Sequence, residues 1–163
     1  AVPVIVYYGA ADLAMVGNDV IEEAGIALTE LLDTGRGKCV MAVAGPPEAA
    51  AKFKAGGRSL MGLRGACRDA RVAEKTFEEW GGQIKLRKLN GSVELAPALG
   101  LSDCIFDIVQ TGRTLKANGL MVIKETLPVS LRLVAGSGAV QTNWRTLSCV
   151  VDAVRKLVNG GAA

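Results

Sequence analysis

Short apolar runs alternate with amphipathic stretches along the chain, and glycines separate many of them. Runs such as DLAMVG, KCVMAVAG, CIFDIV and SLRLVAG have the length and composition of buried strands. Between them, PEAAAKFKAG, DARVAEKTFEEWGG and TNWRTLSCVVDAVRKLV have the composition and spacing of helices. Strands that alternate with helices predict an α/β fold with mixed, mostly parallel sheets covered on both faces.

Shorter segments complete the pattern. SLMGLRGA, QIKLRKL and LMVIKET are predicted as strands, and ELAPALG as a helical turn. NDVIEEAG and TLKANG are predicted as short helices, the first with Asn18 or Asp19 as its cap and Gly25 as its end. The last helix has Thr142 or Asn143 at its start. The opening VPVIVYY stays ambiguous, because β-branched residues favour a strand whereas a proline suits a first helical turn.

An internal similarity suggests two lobes. GAADLAMVGNDVIEEAG and GLSDCIFDIVQTGRTLKANG both contain Gly-x-x-Asp, a buried strand, a glycine turn and a short helix. One interpretation is that each lobe presents such a unit to a shared cleft; the other is that any two strand–turn–helix units look alike. We predict residues 1–37 and 127–163 as a discontinuous first lobe, and residues 38–126 as the second.

The amino-acid composition excludes several kinds of catalytic and binding site. The 163 residues include no histidine, which excludes histidine bases, histidine metal sites and Ser-His-Asp triads within this chain. The net charge of +3 is mild and spread along the sequence, which argues against nucleic acid. Four cysteines without a CxxC spacing indicate buried thiols in a reducing cytoplasm. No apolar run is long enough to span a bilayer.

The strand CIFDIV runs directly into Thr-Gly-Arg-Thr, and a helix follows. Gly112 permits a tight turn, and the N–H groups that open a helix lack intrahelical partners, so the turn can cradle a phosphate. Asp107 repels phosphate but can accept hydrogen bonds from two ribose hydroxyls. The residues therefore predict a ribose 5-phosphate site, and the alternative is a threonine-capped helix after an ordinary strand. The candidate phosphate ligands are Thr111, Gly112, Arg113, Thr114 and Leu115.

The pattern E-x5-G-x-S-x2-I-x-D-I-x2-T-G-x-T-L, from Glu94 to Leu115, resembles the signature of ATP phosphoribosyltransferase. YYGAADLAMVGNDVIEEAG, KLNGSVELAPALGLSD and GRTLKANGLMVIKE are also similar to stretches of that family, so the resemblance covers nearly the whole chain. It implies a two-lobed, periplasmic-binding-protein-like (type II) architecture with a central cleft.

The resemblance also implies a reaction. A glycosyltransferase of this family joins N1 of ATP to phosphoribosyl pyrophosphate with Mg²⁺ assisting, which is the first step of histidine biosynthesis. The ring nitrogen is already a nucleophile, so no histidine base is needed. Phosphoribosyl pyrophosphate is expected at Asp107 and the Thr111–Leu115 turn.

The resemblance assigns three further residues and no metal ligand. Glu94 is the candidate catalytic residue, binding ribose or a Mg²⁺-bound water, with a plain first-turn carboxylate as the alternative. Asp19 and Arg68 are the candidate ATP-binding residues, and for Asp19 the alternative is a helix cap.

Three departures from the family pattern stand out. The family's opening strand, which ends in L-P-K-G-R, has no counterpart here. Its A-T-K-Y-x-N stretch reads A-C-R-D-A-R, so Asp69 stands where the family has tyrosine. The chain ends after a helix near Val158, like the short form of the family. That form implies a homo-oligomer with a separate histidyl-tRNA-synthetase-like regulatory subunit.

These departures keep alternatives open. They favour a catalytically impaired phosphoribosyl- or nucleotide-binding module, or a fragment, whereas the intact signature favours the enzyme. A periplasmic-type solute-binding protein is a third hypothesis. If the first lobe lacks its opening strand, we expect phosphoribosyl pyrophosphate binding with slow turnover, and self-association through an exposed edge at DLAMV.

Overall fold

The structure, a computed structural model, describes residues 2–80 and 84–160. The chain divides into two compact units, Ala1–Lys38 with Val129–Ala163, and Cys39–Pro128. Each unit is a sheet with helices, which confirms the predicted α/β fold with mixed sheets. Within the described ranges, no helix has the length and apolarity needed to cross a membrane.

The first unit is built on a three-stranded sheet with β8 in the centre. Its strands are β1 (Leu13–Gly17), β2 (Thr29–Asp33) and β8 (Leu131–Ala135). Its helices are α1 (Val2–Tyr7), α2 (Asn18–Ala24) and α6 (Ser137–Gly160). The central strand pairs antiparallel with both neighbours, and its Leu133, Val134 and Ala135 are buried.

The second unit is built on a five-stranded sheet in the order β5-β4-β6-β3-β7. Its strands are β3 (Cys39–Gly45), β4 (Arg64–Cys67), β5 (Lys85–Lys88), β6 (Cys104–Val109) and β7 (Met121–Val129). Its helices are α3 (Pro47–Ala55), α4 (Ala70–Glu79) and α5 (Arg113–Ala117), with 3-10 turns at Gly57–Leu60 and Val93–Leu95.

Strand β6 forms the centre of the second unit. Its Cys104, Ile105 and Phe106 are fully buried, and the ring of Phe106 lies 6.1 Å from that of Phe77 on α4. Burial raises the pKa of the Cys104 thiol to about 12. This cysteine therefore behaves as a small apolar side chain.

Strand direction differs from the prediction of mostly parallel sheets. Among the ladders of the described residues, β4 runs parallel to β5 and β6, whereas β1–β8, β2–β8 and β3–β6 are antiparallel. The alternation argument assumes a crossover helix between consecutive strands. Strand β8 instead follows β7 after the single residue Ser130.

One predicted boundary in the first unit is confirmed. The turn at Gly25 adopts a left-handed conformation (φ 61°) that ends α2. The predicted start of the last helix at Thr142 or Asn143 is wrong, because α6 begins at Ser137; Asn143 is instead a break with non-helical backbone (φ −125°) inside it. The segment VPVIVYY, which the sequence leaves ambiguous, forms the helix α1.

Other local predictions are wrong. The N-cap of α2 is Gly17, because the Asn18 side chain instead accepts a hydrogen bond from the backbone N–H of Ser130 at 2.9 Å. SLMGLRGA is a strand only from Arg64, after a 3-10 turn. Strand β2 was not predicted, and Gln83 of the predicted strand QIKLRKL lies outside the described residues.

An ion pair joins the amino-terminal ends of β4 and β6. Asp103 accepts hydrogen bonds from the Arg64 backbone N–H (2.8 Å) and from its Nη2 (3.0 Å), while Arg64 Nη1 donates to the carbonyl of Gly100 (2.8 Å). The side-chain hydrogen bond from Arg64 is the main cause that lowers the pKa of Asp103.

Replacing Asp103 with asparagine should lower the free energy of unfolding at pH 7. The lowered pKa means that the ionised carboxylate stabilises the fold above its ordinary value of 3.8, and that this contribution is lost as pH falls through the folded value. The difference between parent and D103N should therefore shrink on acidification. Urea unfolding curves from pH 7 to pH 3 measure it, and equal stability at pH 7 contradicts the assignment.

Candidate functional site

The carboxyl ends of three parallel strands meet at one edge of the second unit's sheet. Cys67 of β4 is level with Phe106 of β6 and with Lys88 of β5. The residues that follow, Arg68 and Asp107, therefore come out at the same edge. Ligands of α/β sheets bind outside the carboxyl ends of the strands, so this edge is the place to look for a site.

A pocket of about 230 Å³ opens at this edge. The structure brings seven of the predicted site residues around it: Glu94, Asp107, Thr111, Gly112, Arg113, Thr114 and Leu115. Ile108, Val109 and Gln110 complete the lining. Ile108 is a fixed position of the signature pattern, whereas the sequence signal for Val109 and Gln110 is only their position between Asp107 and the turn.

The turn at Gly112 shapes the pocket. Gly112 has φ 70° and immediately precedes α5, and the carbonyl of Gly112 accepts the N–H of Lys116 at 3.1 Å. An added Cβ at Gly112 would meet nothing within 4 Å, so the requirement for glycine is conformational rather than steric. Thr111 and Thr114 are exposed and line the pocket.

Leu115 holds this turn to the core. Its side chain is 7% exposed and belongs to a buried cluster with Ala44, Ala66, Ile105 and Leu120. Leu115 can therefore offer a ligand only its backbone N–H. Burial of a leucine contributes about 1.5–3 kcal/mol, enough to keep so short a helix in place.

Glu94 reaches the same pocket from a different segment. It lies in the 3-10 turn Val93–Leu95, and Val93 and Ala96 on either side of it are buried in the cluster that contains Leu115. The turn begins after Ser92, which has a left-handed backbone (φ 51°). The core thus fixes both walls of the pocket, while the carboxylate of Glu94 stays half-buried between them.

Asp107 is a half-buried carboxylate whose pKa is raised. Burial is the main cause, and the negative charges of Asp69 and Glu94 raise the pKa further. A hydrogen bond from the N–H of Ile108 and the positive charge of Arg68 oppose the shift. The fold therefore holds a carboxylate in surroundings that disfavour its charge, which is typical of functional sites.

Arg68 lies beside this carboxylate rather than in the pocket lining. Its guanidinium pairs with the carboxylate of Asp69 at 3.1 Å, and its charge acts on Asp107. In the sequence, Asp69 stands out only as a departure from a family pattern, and its contact with Arg68 was not predicted. Lys88, also not predicted, ends β5 level with Cys67.

Asp19 belongs to the first unit. It lies in the first turn of α2 and is only 5% exposed. Its carboxylate folds back over Gly17, where an added Cβ would collide with it. Gly17 is therefore required by the position of the Asp19 side chain, and the predicted role of Asp19 in binding ATP stays a prediction.

Comparison with known proteins identifies relatives of the chain. The family model described as "HisG: ATP phosphoribosyltransferase" matches residues 1–158. The ATP phosphoribosyltransferase of Caldanaerobacter subterraneus is 42% identical over 160 residues, which is 98% of this chain and 73% of that protein. The protein of the same name from Moorella thermoacetica is 42% identical over 165 residues, 98% of this chain and 71% of its own.

Solved structures show the same fold. A chain of the ATP phosphoribosyl transferase (HisG:HisZ) complex from Thermotoga maritima superposes with a TM-score of 0.83 at 29% identity, covering 98% of this chain and 76% of that one. The substrate binding protein of an amino acid ABC transporter superposes with a TM-score of 0.65 at 13% identity, covering 98% and 70%. The second likeness supports the predicted periplasmic-binding-protein-like fold alone.

The pKa of Asp107 is raised whereas that of Asp103 is lowered, so we expect their replacement to change the free energy of unfolding in opposite directions. Because the folded state disfavours the ionised carboxylate, Asp107 lowers stability at any pH above its folded pKa, and the effect vanishes below the ordinary value of 3.8. D107N should therefore unfold at higher urea concentration than the parent at pH 7, with the gain disappearing on acidification. Urea titrations of D107N and D103N in parallel measure both signs, and a D107N chain less stable than the parent at pH 7 contradicts this account.

Proposed function

The chain belongs to the ATP phosphoribosyltransferase family, and on this premise we propose that the pocket at the carboxyl edge of β6 binds the phosphoribosyl group of phosphoribosyl pyrophosphate. The chain is accordingly a transferase of the first step of histidine biosynthesis. The observation that carries the proposal is the pocket itself, which is lined both by the turn Thr111–Leu115 and by the carboxylates of Asp107 and Glu94.

The turn supplies donors for the 5-phosphate. Thr111 and Thr114 offer exposed hydroxyls, Arg113 offers a guanidinium, and the first N–H groups of α5 have no partner within the helix. Hydrogen bonds to a charged group contribute about 1.5–3 kcal/mol each, so a few of them hold a phosphate after the cost of association. The buried Leu115 keeps these donors in one arrangement before the ligand arrives.

The two carboxylates face the sugar. Asp107 is in position to accept hydrogen bonds from the ribose 2′ and 3′ hydroxyls, since it follows the buried part of β6 and lines the pocket. Glu94 lines the pocket from a different segment of the chain, and it would bind the ribose or a water on the far side of the ribose. Both carboxylates also favour positive charge at the ribose carbon as the leaving group departs.

The nucleophile of the proposed reaction, adenine N1, needs no base from the protein. The lone pair of adenine N1 attacks C1 of the ribose, the C1–N1 bond forms, and the bond from C1 to the pyrophosphate oxygen breaks. Pyrophosphate leaves with that electron pair. The chain's task is to hold the two reacting atoms about 3–3.5 Å apart and in line. Arg68 and Asp19 are the residues that we propose for ATP.

Mg²⁺ fits this site as an ion carried in with the substrates. The described part of the chain contains no group of three or more His, Cys, Asp or Glu side chains that could hold a metal. Mg²⁺ keeps several waters and commonly binds one or two carboxylates together with substrate phosphates, and Glu94 is available for such a contact. When bound, the ion supplies positive charge that stabilises the departing pyrophosphate.

We further propose that the chain works with a partner in the cytoplasm. The solved structure from Thermotoga maritima is a HisG:HisZ complex, which supports a HisZ-like regulatory subunit here. A homo-oligomer of the catalytic chain is part of the same proposal. Neither partner surface is assigned to particular residues.

Removing both hydroxyls from the turn should weaken phosphoribosyl pyrophosphate binding selectively. T111A combined with T114A loses hydrogen bonds to a charged phosphate, at a cost of about 2–5 kcal/mol of binding free energy. Binding of ATP alone should change little. Isothermal titration calorimetry with each ligand measures this. T76A is the matched control, because Thr76 donates its hydroxyl to the Val72 carbonyl within α4. Equal loss of both ligands, or of neither, removes the turn from this role.

The chain should release pyrophosphate when ATP, phosphoribosyl pyrophosphate and Mg²⁺ are all present, and should stop when any one is withheld. An enzyme-coupled pyrophosphate assay, run with and without an added HisZ-like subunit, measures this. Phosphoribosyl pyrophosphate binding without release under both conditions contradicts the enzyme proposal and supports an impaired binding module instead.

A further inference from the structure

Asp69 occupies a capping position that its side chain does not use. It is the residue before α4, yet its carboxylate makes no capping hydrogen bond to that helix. An aspartate at this position ordinarily caps the helix and stabilises it. Here one carboxylate oxygen accepts two hydrogen bonds from Arg68 instead, from Nε at 3.3 Å and from Nη2 at 3.1 Å.

The Arg68–Asp69 pair lies next to the pocket. Cys67 is level with Phe106 in the parallel β4–β6 ladder, so Arg68 leaves the sheet beside Asp107. The charges of both members of the pair reach Asp107, Arg68 opposing and Asp69 reinforcing the rise in its pKa. The pair therefore belongs to the electrostatic surroundings of the site, although neither side chain lines the pocket.

The pairing uses the donors that a phosphate needs. The Nε and Nη2 groups of a guanidinium form one of its two-pronged edges, and this edge suits carboxylate and phosphate alike. Asp69 already occupies it. The Arg68 side chain is 50% exposed, whereas that of Asp69 is 17% exposed, so an arriving anion meets the cation with its counter-ion in place.

We propose that Asp69 is a resident counter-ion of Arg68, which competes with the phosphate groups of pyrophosphate or ATP and lowers the affinity of this edge for them. The inference rests on the proposed function, because it concerns how tightly the same site holds its phosphorylated ligands. Asp69 acts through Arg68 and is a positioning residue. Its effect is to weaken the hold of this edge on phosphate groups, whether these belong to bound ATP or to the pyrophosphate that must leave.

A competing interpretation predicts that removing the charge of Asp69 weakens anion binding. If Asp69 merely holds Arg68 in a binding orientation, removing its charge leaves the guanidinium less ordered and weakens anion binding. If Asp69 matters only as the residue before α4, its replacement by asparagine changes neither binding nor stability, since asparagine caps helices about as well. The variant D69N therefore separates the three cases by direction.

The test is calorimetric titration of the full chain with inorganic pyrophosphate at fixed Mg²⁺ concentration. We expect D69N to bind about two- to fivefold more tightly than the parent, the range set by the strength of an exposed ion pair. E78Q is the matched control: it removes one negative charge from α4 about 13 Å further along the helix, beyond the screening length at physiological salt. Its affinity should equal that of the parent.

A double-mutant cycle assigns the effect to Arg68. R68Q should weaken binding, and D69N added to R68Q should give no gain, since the counter-ion then has nothing to compete for. Binding by D69N that is equal to or weaker than that of the parent overturns the inference, as does a gain that persists in the R68Q background. If neither the parent nor D69N binds pyrophosphate, the inference fails together with the proposed function; if the parent binds and D69N shows no gain, the inference fails alone.

Discussion

The site depends on the parallel register that joins β4 to β6. The pairs Ala66–Ile105 and Cys67–Phe106 are fully buried, and they bring the carboxyl ends of both strands to one edge. Successive residues of a strand face opposite sides of the sheet, so a shift by one residue would move Asp107 out of line with Arg68. Core packing of Phe106 and Ile105 thus sets the position of charged groups that contribute nothing to the core themselves.

The charged side chains at this edge destabilise the fold that positions them. Burial and two neighbouring carboxylates make the ionised Asp107 unfavourable, with Arg68 and one backbone hydrogen bond as partial compensation. Gly112, with its positive φ, adds a backbone freedom that folding must remove. The surrounding apolar cluster, which includes Val93, Ile105 and Leu115, offsets these costs.

The sequence predicts which residues gather at the pocket better than it predicts the direction of the strands. The pocket forms largely from one contiguous stretch, Asp107 to Leu115, so its local pattern sufficed to bring the residues together. Strand direction in the first unit depends on β8, which enters from β7 through a single residue, and no local pattern encodes that path. The pairing of Asp69 with Arg68 was not predicted for a related reason. An aspartate before a helix has the pattern of a cap, and the three-dimensional arrangement decides which partner it takes.

In the proposed complex, the turn after β6 holds the phosphate of a ribose phosphate while Asp107 holds its hydroxyls. The most direct measurement is a titration of the ¹⁵N-labelled chain with ribose 5-phosphate, followed by amide chemical shifts. We expect the largest shifts on Ile108 and on Gly112 to Leu115, with smaller ones near Glu94. Shifts confined to residues away from the carboxyl edge of β6, or no shifts at millimolar ligand, would contradict it.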